Sequence, residues 1–371
     1  MPKPKLSQRV KETALLAVVL LLMVVALSPL LRADQPCTHD GGLHYYRIVA
    51  MRQALDDGLL ASRWAPDLAF GYGYPFFNYR AAVSYYAGLG LYLTGLSLPQ
   101  ALNLVYAVSI IAAAVGAFLI GRDLFGPAAG VVTAVAYVYA PYVFIDALVR
   151  GNMPESVALA LFPWILWSFR RLLLAGKARY LLTSAGLLAL LWMSHNISSL
   201  LFTPFLALYI LVVWLARGRR DHILQAIVAL ALGVGLTAFF WTPAVLEKED
   251  VQLHMSRTTR NNDYHYNFVN LSEILAPPEA ADTALLNPPM HVPLGLGLAI
   301  LALLGAAVGI WRWRGGQDST SDAPGDSPDQ LQRRERWVSV IFFALSGLVM
   351  IFMSTRASVA IWESVPLIPF V

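Results

Sequence analysis

Asp40 and His44 stand four residues apart, a spacing that puts both side chains on one face of a helix. They open a stretch, Thr38 to Tyr86, that is polar, aromatic and rich in Gly and Pro, and that follows directly on an apolar run. A carboxylate held against a membrane is costly, so a chemical reason for it is expected. A carboxylate next to an imidazole can take a proton from an attacking group. On that reading Asp40 is the base, and His44 either shares the chemistry or orients Asp40.

Further candidates lie in later polar segments. Asp146, Arg150, Asn152 and Glu155 form one group, and His195 and Asn196 sit at a turn between two apolar runs. Glu247, Lys248, Asp250, His254, Arg257 and His265 fall in a longer loop. Each has a plainer reading. Arg150 and Glu155 form a local ion pair, or Arg150 holds an anionic phosphate, and Arg257 has the same two readings. His195 caps its turn or binds a ligand. Asp56 and Asp57 precede Gly58 and read as a helix end. Gly71-Tyr-Gly-Tyr-Pro75 reads as a turn, not a nucleotide loop, because no strand precedes it. Asn196-Ile-Ser and Asn270-Leu-Ser match glycosylation acceptors, a short pattern that recurs by chance.

The elements that must position these residues are membrane spans. The 371 residues are 57% hydrophobic and 13% charged, with mean hydropathy +0.58. Soluble domains carry about 25% charged residues. The single cysteine, Cys37, excludes an internal disulfide framework and a Cys-based metal site. The net charge of +4 sits in short basic clusters between apolar runs, which is no nucleic-acid signature.

Nine runs approach the roughly 20 residues that cross a bilayer: Ala14–Leu31, Ala101–Ile120, Ala128–Phe144, Val157–Leu174, Leu181–Met193, Ser198–Leu215, Ile223–Trp241, Leu294–Ile310 and Val338–Met353. Basic loops at Arg170–Arg179, Arg217–Arg220 and Arg312–Arg336 place these segments and the amino terminus in the cytoplasm. Parity then keeps the apolar stretch Ala82–Leu98 from crossing. It is expected as a juxtamembrane or re-entrant helix with Tyr85, Tyr86 and Tyr92 at the interface. The fold expected is an all-α polytopic membrane bundle of about nine spans. Residues 1–311 form its core, with outer loops 32–100 and 242–292. Residues 312–336 read as a disordered cytoplasmic linker, and 337–371 as a further span and the start of a truncated segment.

Asp40, His44, Gly58, Arg63-Trp-Ala-Pro66, Gly71-Tyr-Gly-Tyr-Pro75 and the aromatic run into Tyr85-Tyr86 resemble the first outer loop of the GT-C glycosyltransferase superfamily. Within it the chain is most similar to bacterial membrane proteins known as 6-pyruvoyl-tetrahydropterin-synthase-related, although no zinc site of the soluble synthase is visible. Gly121-Arg-Asp-Leu-Phe-Gly126, Arg150-Gly-Asn-Met-Pro-Glu155, Ser194-His-Asn196 and Trp241-Thr-Pro-Ala244 add to the likeness. The resemblance implies a transferase using a polyprenyl-phosphate-linked sugar at the outer face of a bacterial plasma membrane. Asp40 would be its catalytic carboxylate and Glu155 or Asp146 a second one. Arg150, His195, Asn196, Glu247 and Arg257 would contact substrate. A divalent cation, Mg or Mn, would sit at Asp40 and His44 if one is used. Acceptor and sugar are left open, and a lipid-linked substrate transporter or a non-catalytic scaffold is the alternative.

Overall fold

The computed structural model describes residues 6–217, 222–252, 263–277, 293–317 and 328–364. Its described residues are helices and connecting turns, with one isolated bridge between Ala65 and Tyr74. Helix α1 (Leu6–Leu22) continues through short turns to Leu31, giving an apolar helical stretch Val10–Leu31. The first outer segment holds α2 (Gly41–Asp56) and α3 (Val83–Leu93). The bundle follows: α4 (Leu98–Phe125), α5 (Pro127–Val138), α6 (Pro141–Ile145), α7 (Met153–Ala175), α8 (Ala178–Trp192), α9 (Asn196–Arg217), α10 (Ile223–Gly235), α11 (Ala238–Leu246), α12 (Leu296–Gln317) and α13 (Pro328–Met353).

Each of the nine apolar runs is helical, but not each is one straight span. Five helices are long and apolar enough to cross a membrane, and two bent pairs raise that number to seven. The run Ala128–Phe144 breaks before Pro141, and α5 meets the following helical segment at 50°. The run Ile223–Trp241 breaks at Leu236–Thr237, with a bend of 61°. Helices α8 and Leu296–Val308 are shorter apolar helices. At 1.5 Å per residue, the 15 residues of α8 reach about 22 Å, less than a hydrocarbon core of about 30 Å.

Glycines set the closest packing. A Cβ on Gly116 of α4 would meet Trp164 of α7 at 2.6 Å, and one on Gly130 of α5 would meet the Phe118 carbonyl at 2.8 Å. Backbones can approach at such small residues, the usual device where apolar burial does not drive helix association. Trp164 then donates its indole N–H to the Ala112 carbonyl at 2.8 Å, tying α7 to α4.

Two expectations need correction. Helix α3 spans 11 residues, too short to cross, but Tyr85 on it is 1% exposed rather than interfacial. Its ring packs on Phe76 and Phe77, and its hydroxyl accepts from Arg47 at 2.8 Å, so burial costs it no hydrogen bond. The second concerns residues 312–336. Helix α12 runs to Gln317 and α13 starts at Pro328, so both ends of the expected linker are helical; residues 318–327 lie outside the described set.

Charge gathers at the two ends of the bundle. At the end away from Asp40, Asp123 lies 2.5 Å from Arg171 and 2.9 Å from Arg122, and it accepts the Trp167 indole N–H at 2.8 Å. Glu335 of α13 pairs with Arg170 of α7 at 2.7 Å and with Arg217 of α9 at 3.2 Å. Above this contact Phe342 and Phe343 pack against Phe205 and Tyr209.

Candidate functional site

Asp40 is the residue before α2, in a chain that must meet the segment 146–152. The two join through the backbone: His39 N–H donates to the Val149 carbonyl at 3.1 Å and Asp40 N–H to the Arg150 carbonyl at 2.8 Å. Residues 146–150 form a π-helical turn, an irregularity frequent at functional sites. Gly151 ends that turn at φ +70°, and a Cβ there would lie 2.3 Å from the Thr38 hydroxyl. Only glycine meets both demands.

Three carboxylates surround the Arg150 guanidinium. Glu155 is 2.7 Å away, Asp146 3.6 Å and Asp40 4.0 Å. Glu155 also accepts from Asn152 at 3.0 Å and from the Tyr142 hydroxyl. Asp146, 2% exposed, accepts the Ser156 hydroxyl at 2.9 Å. Asp40 differs from both: its side chain is 36% exposed, and its only side-chain partner among the described residues is the distant edge of Arg150. Asp56 and Asp57 are placed apart from it. They lie at the other end of α2, about 24 Å along the helix, where Asp56 pairs with Arg52 at 2.9 Å.

His44 points away from the open side. It is 1% exposed, and its Nε2 lies 2.8 Å from the Gly151 carbonyl, which also accepts the Tyr106 hydroxyl at 2.6 Å. An Arg47 N–H reaches Nδ1 at 3.4 Å, and the Met153 N–H points at Nε2 at 3.3 Å. Burial, with the Arg47 and Arg80 charges, lowers its pKa to about 4. Nε2 thus faces the 146–152 turn and the start of α7, while Nδ1 faces Arg47 on its own helix. Among the described residues, no three His, Cys, Asp or Glu side chains converge as a metal ligand set.

His195 and Asn196 face the same region. His195 Nδ1 is 2.8 Å from the Ser198 hydroxyl, and its Nε2 has no hydrogen-bond partner among the described residues. Burial lowers its pKa; the Glu155 charge opposes this, while Arg150 and Arg80 add to it. Asn196 is bonded on both sides to the first outer segment: it accepts from Ala81 N–H at 3.0 Å and donates to the Tyr79 carbonyl at 2.8 Å. Glu247 accepts from Asn78 at 2.7 Å and, through its carbonyl, from the Tyr79 hydroxyl at 2.6 Å. Arg257 and His254 lie outside the described residues.

A cavity of about 620 Å³ reaches this site from within the bundle. Glu155, Tyr142 and Ser198 line it where it meets the site, and Leu124 and Phe125 line it towards the far end of α4. Its walls are α4, α5, α6, α7, α9 and α13; no residue of 82–98 lines it.

Two cations were missed in the sequence. Arg47 donates to Tyr85 and stacks over the Phe76 ring at 4.6 Å, with no carboxylate partner among the described residues. Arg80 is exposed and has no side-chain partner there at all. Arg47 stands three residues after His44 on α2, a spacing that puts it on the same face. Arg80 is the last charge before an acid-free apolar stretch that runs to Leu98.

The fold and site together define a polytopic α-helical membrane protein with a polar, carboxylate-rich site at one end of the bundle. The chain belongs to the family described as 6-pyruvoyl-tetrahydropterin synthase related domain, a membrane protein family, whose model matches residues 77–371. Arg80, Arg150, Glu155 and His195 fall within that match, and Asp40 and His44 precede it. The chain is also similar to an uncharacterized protein of Lactococcus lactis subsp. cremoris (strain MG1363), 19% identical over 260 residues. That alignment takes in 67% of this chain and 42% of the relative, so the chain spans under half of the relative's length.

Proposed function

We propose that this protein is a GT-C-type glycosyltransferase that moves a sugar from a polyprenyl phosphate to an acceptor at the outer face of the bacterial plasma membrane, with its amino terminus in the cytoplasm. One observation carries the reading: Asp40 presents a partly exposed carboxylate, fixed by its own backbone to Arg150, whose partner Glu155 lines an apolar cavity of about 620 Å³. An isoprenoid tail needs such a cavity, and an acceptor needs such a base.

In the reaction Asp40 takes the proton of the acceptor hydroxyl or amine. The freed electron pair attacks the anomeric carbon, the carbon–oxygen bond to phosphate breaks, and the phosphate leaves with its electrons. Attack opposite the phosphate inverts that carbon. The Arg150 carbonyl, through the Asp40 N–H, keeps Asp40 in place, while the Arg150 side chain is engaged by Glu155 and Asp146. Glu155 holds Arg150, and His44 holds the turn that carries both.

The test is transfer of labelled sugar from a polyprenyl phosphate donor in proteoliposomes. Asp40→Asn should abolish it; full activity in that variant overturns the reading. The bent pairs α5–α6 and α10–α11 favour a second reading, a transporter of lipid-linked substrate, because broken helices recur at transport sites. Movement of labelled lipid across the bilayer without sugar transfer would select it.

A further inference from the structure

Arg150 is the obvious cation at the site, yet it is poorly suited to receive a leaving phosphate. Its guanidinium already faces Glu155, Asp146 and Asp40. An added dianion would have to displace a carboxylate or be repelled by two others. Among the described residues near the site, the cations without a carboxylate partner are Arg80 and Arg47.

Arg80 is held for such a task. Asn196 grips both of its neighbours, the Tyr79 carbonyl at 2.8 Å and the Ala81 N–H at 3.0 Å. The Tyr79 hydroxyl and Asn78 are tied to Glu247 in turn. The backbone on either side of Arg80 is therefore fixed, while its side chain stays exposed and without an acidic partner among the described residues. Its charge acts on His44, Tyr85 and His195, which places it over the same site. His195 bonds Ser198, and Ser198 lines the cavity. A cation whose backbone neighbours are bonded to Asn196, two residues from the cavity-lining Ser198, suits an amphiphile with a phosphate end and a hydrocarbon tail.

We propose that Arg80, seconded by Arg47 and the unbonded Nε2 edge of His195, forms the phosphate-binding site, and that its ligand is a phosphate monoester or diester on an isoprenoid whose tail fills the cavity. The identity of the lipid rests on the transferase reading above. Arg80 supplies a planar guanidinium that meets two phosphate oxygens at once, which a lysine does not. Asn196 is a positioning residue that acts through Arg80.

The experiment uses the full chain in phosphatidylcholine nanodiscs, with undecaprenyl phosphate, undecaprenol, phosphatidylglycerol and inorganic phosphate as separate probes. The wild type should bind undecaprenyl phosphate more tightly than undecaprenol. Arg80→Gln should weaken phosphate binding about 10- to 100-fold, the range for one lost charge-assisted contact, and leave undecaprenol binding unchanged. Arg80→Lys should recover part of the loss, showing that the fold is intact. Equal displacement by phosphatidylglycerol or inorganic phosphate would overturn the isoprenoid assignment. Undiminished preference for the phosphate in Arg80→Gln would overturn the Arg80 site alone, leaving the transferase reading to the Asp40→Asn assay. No preference in the wild type would overturn both.

Discussion

Asp40 donates its backbone N–H to the carbonyl of Arg150 at 2.8 Å, while the two side chains stand 4.0 Å apart. The main chain, not the ion pair, sets the carboxylate in place. Its side chain is thus positioned and still free to bond an acceptor. Asp40→Asn should preserve this clamp and remove only the proton acceptor. Sugar transfer should fall about 100-fold or more, with lipid binding within a factor of two of wild type. Steady-state transfer and equilibrium binding on the same preparation check both halves.

Acid should loosen the site through His44. Its folded pKa of about 4 lies below the usual value of 6.5, so the native state favours the neutral ring. The stabilisation this represents is complete above pH 6.5 and is lost as pH falls from there towards 4. Its full size is about 3 kcal/mol by linkage. Thermal melts in detergent should drop over that window. In His44→Gln, which cannot protonate, the drop should be shallower, though the variant starts from a lower melting temperature.

Gly151→Ala should be among the most damaging single changes near the site. The residue sits at φ +70°, and a new methyl group would meet Thr38 at 2.3 Å. The conformation alone costs about 1–2 kcal/mol for a residue with a Cβ. The expected result is a lower melting temperature together with lost transfer. Normal stability with normal activity would show that the turn can move without consequence.

The membrane-protein character and the helical runs were legible because nothing but composition over some 20 residues is needed to read them. The bends were not. Pro141 announces a break, but a break inside an apolar run has no signature for its 50° angle. The carboxylates around Arg150 were visible as a group in sequence, since Asp146, Arg150 and Glu155 are close neighbours. Their union with Asp40 was not, because it depends on a backbone pairing between segments more than a hundred residues apart. His44 looked catalytic from its spacing, but spacing cannot show which way a ring points. Arg80 has no motif at all. It stands out only when partners are counted, and partners are a property of the fold.

Glu335 gives a separate test. It was hidden in a stretch that reads as polar linker, yet its side chain is 1% exposed and meets Arg170, itself 3% exposed. Glu335→Ala should destabilise the protein by about 3 kcal/mol, because it leaves the buried Arg170 guanidinium with only Asp123, 4.0 Å away. Replacing both partners with methionine should recover most of that loss. If Glu335→Ala melts with the wild type, the pair contributes nothing to stability.

The same pair bears on how the chain is put together in the membrane. Arg170 and Arg217 are synthesised long before Glu335, and for that interval their closest carboxylate does not yet exist. Helix α13 is also the helix that closes the cavity with Phe343 and Met350. The last wall of the cavity thus arrives carrying the charge that completes the earlier ones. Until it docks, the half-built bundle has an open side and two waiting arginines.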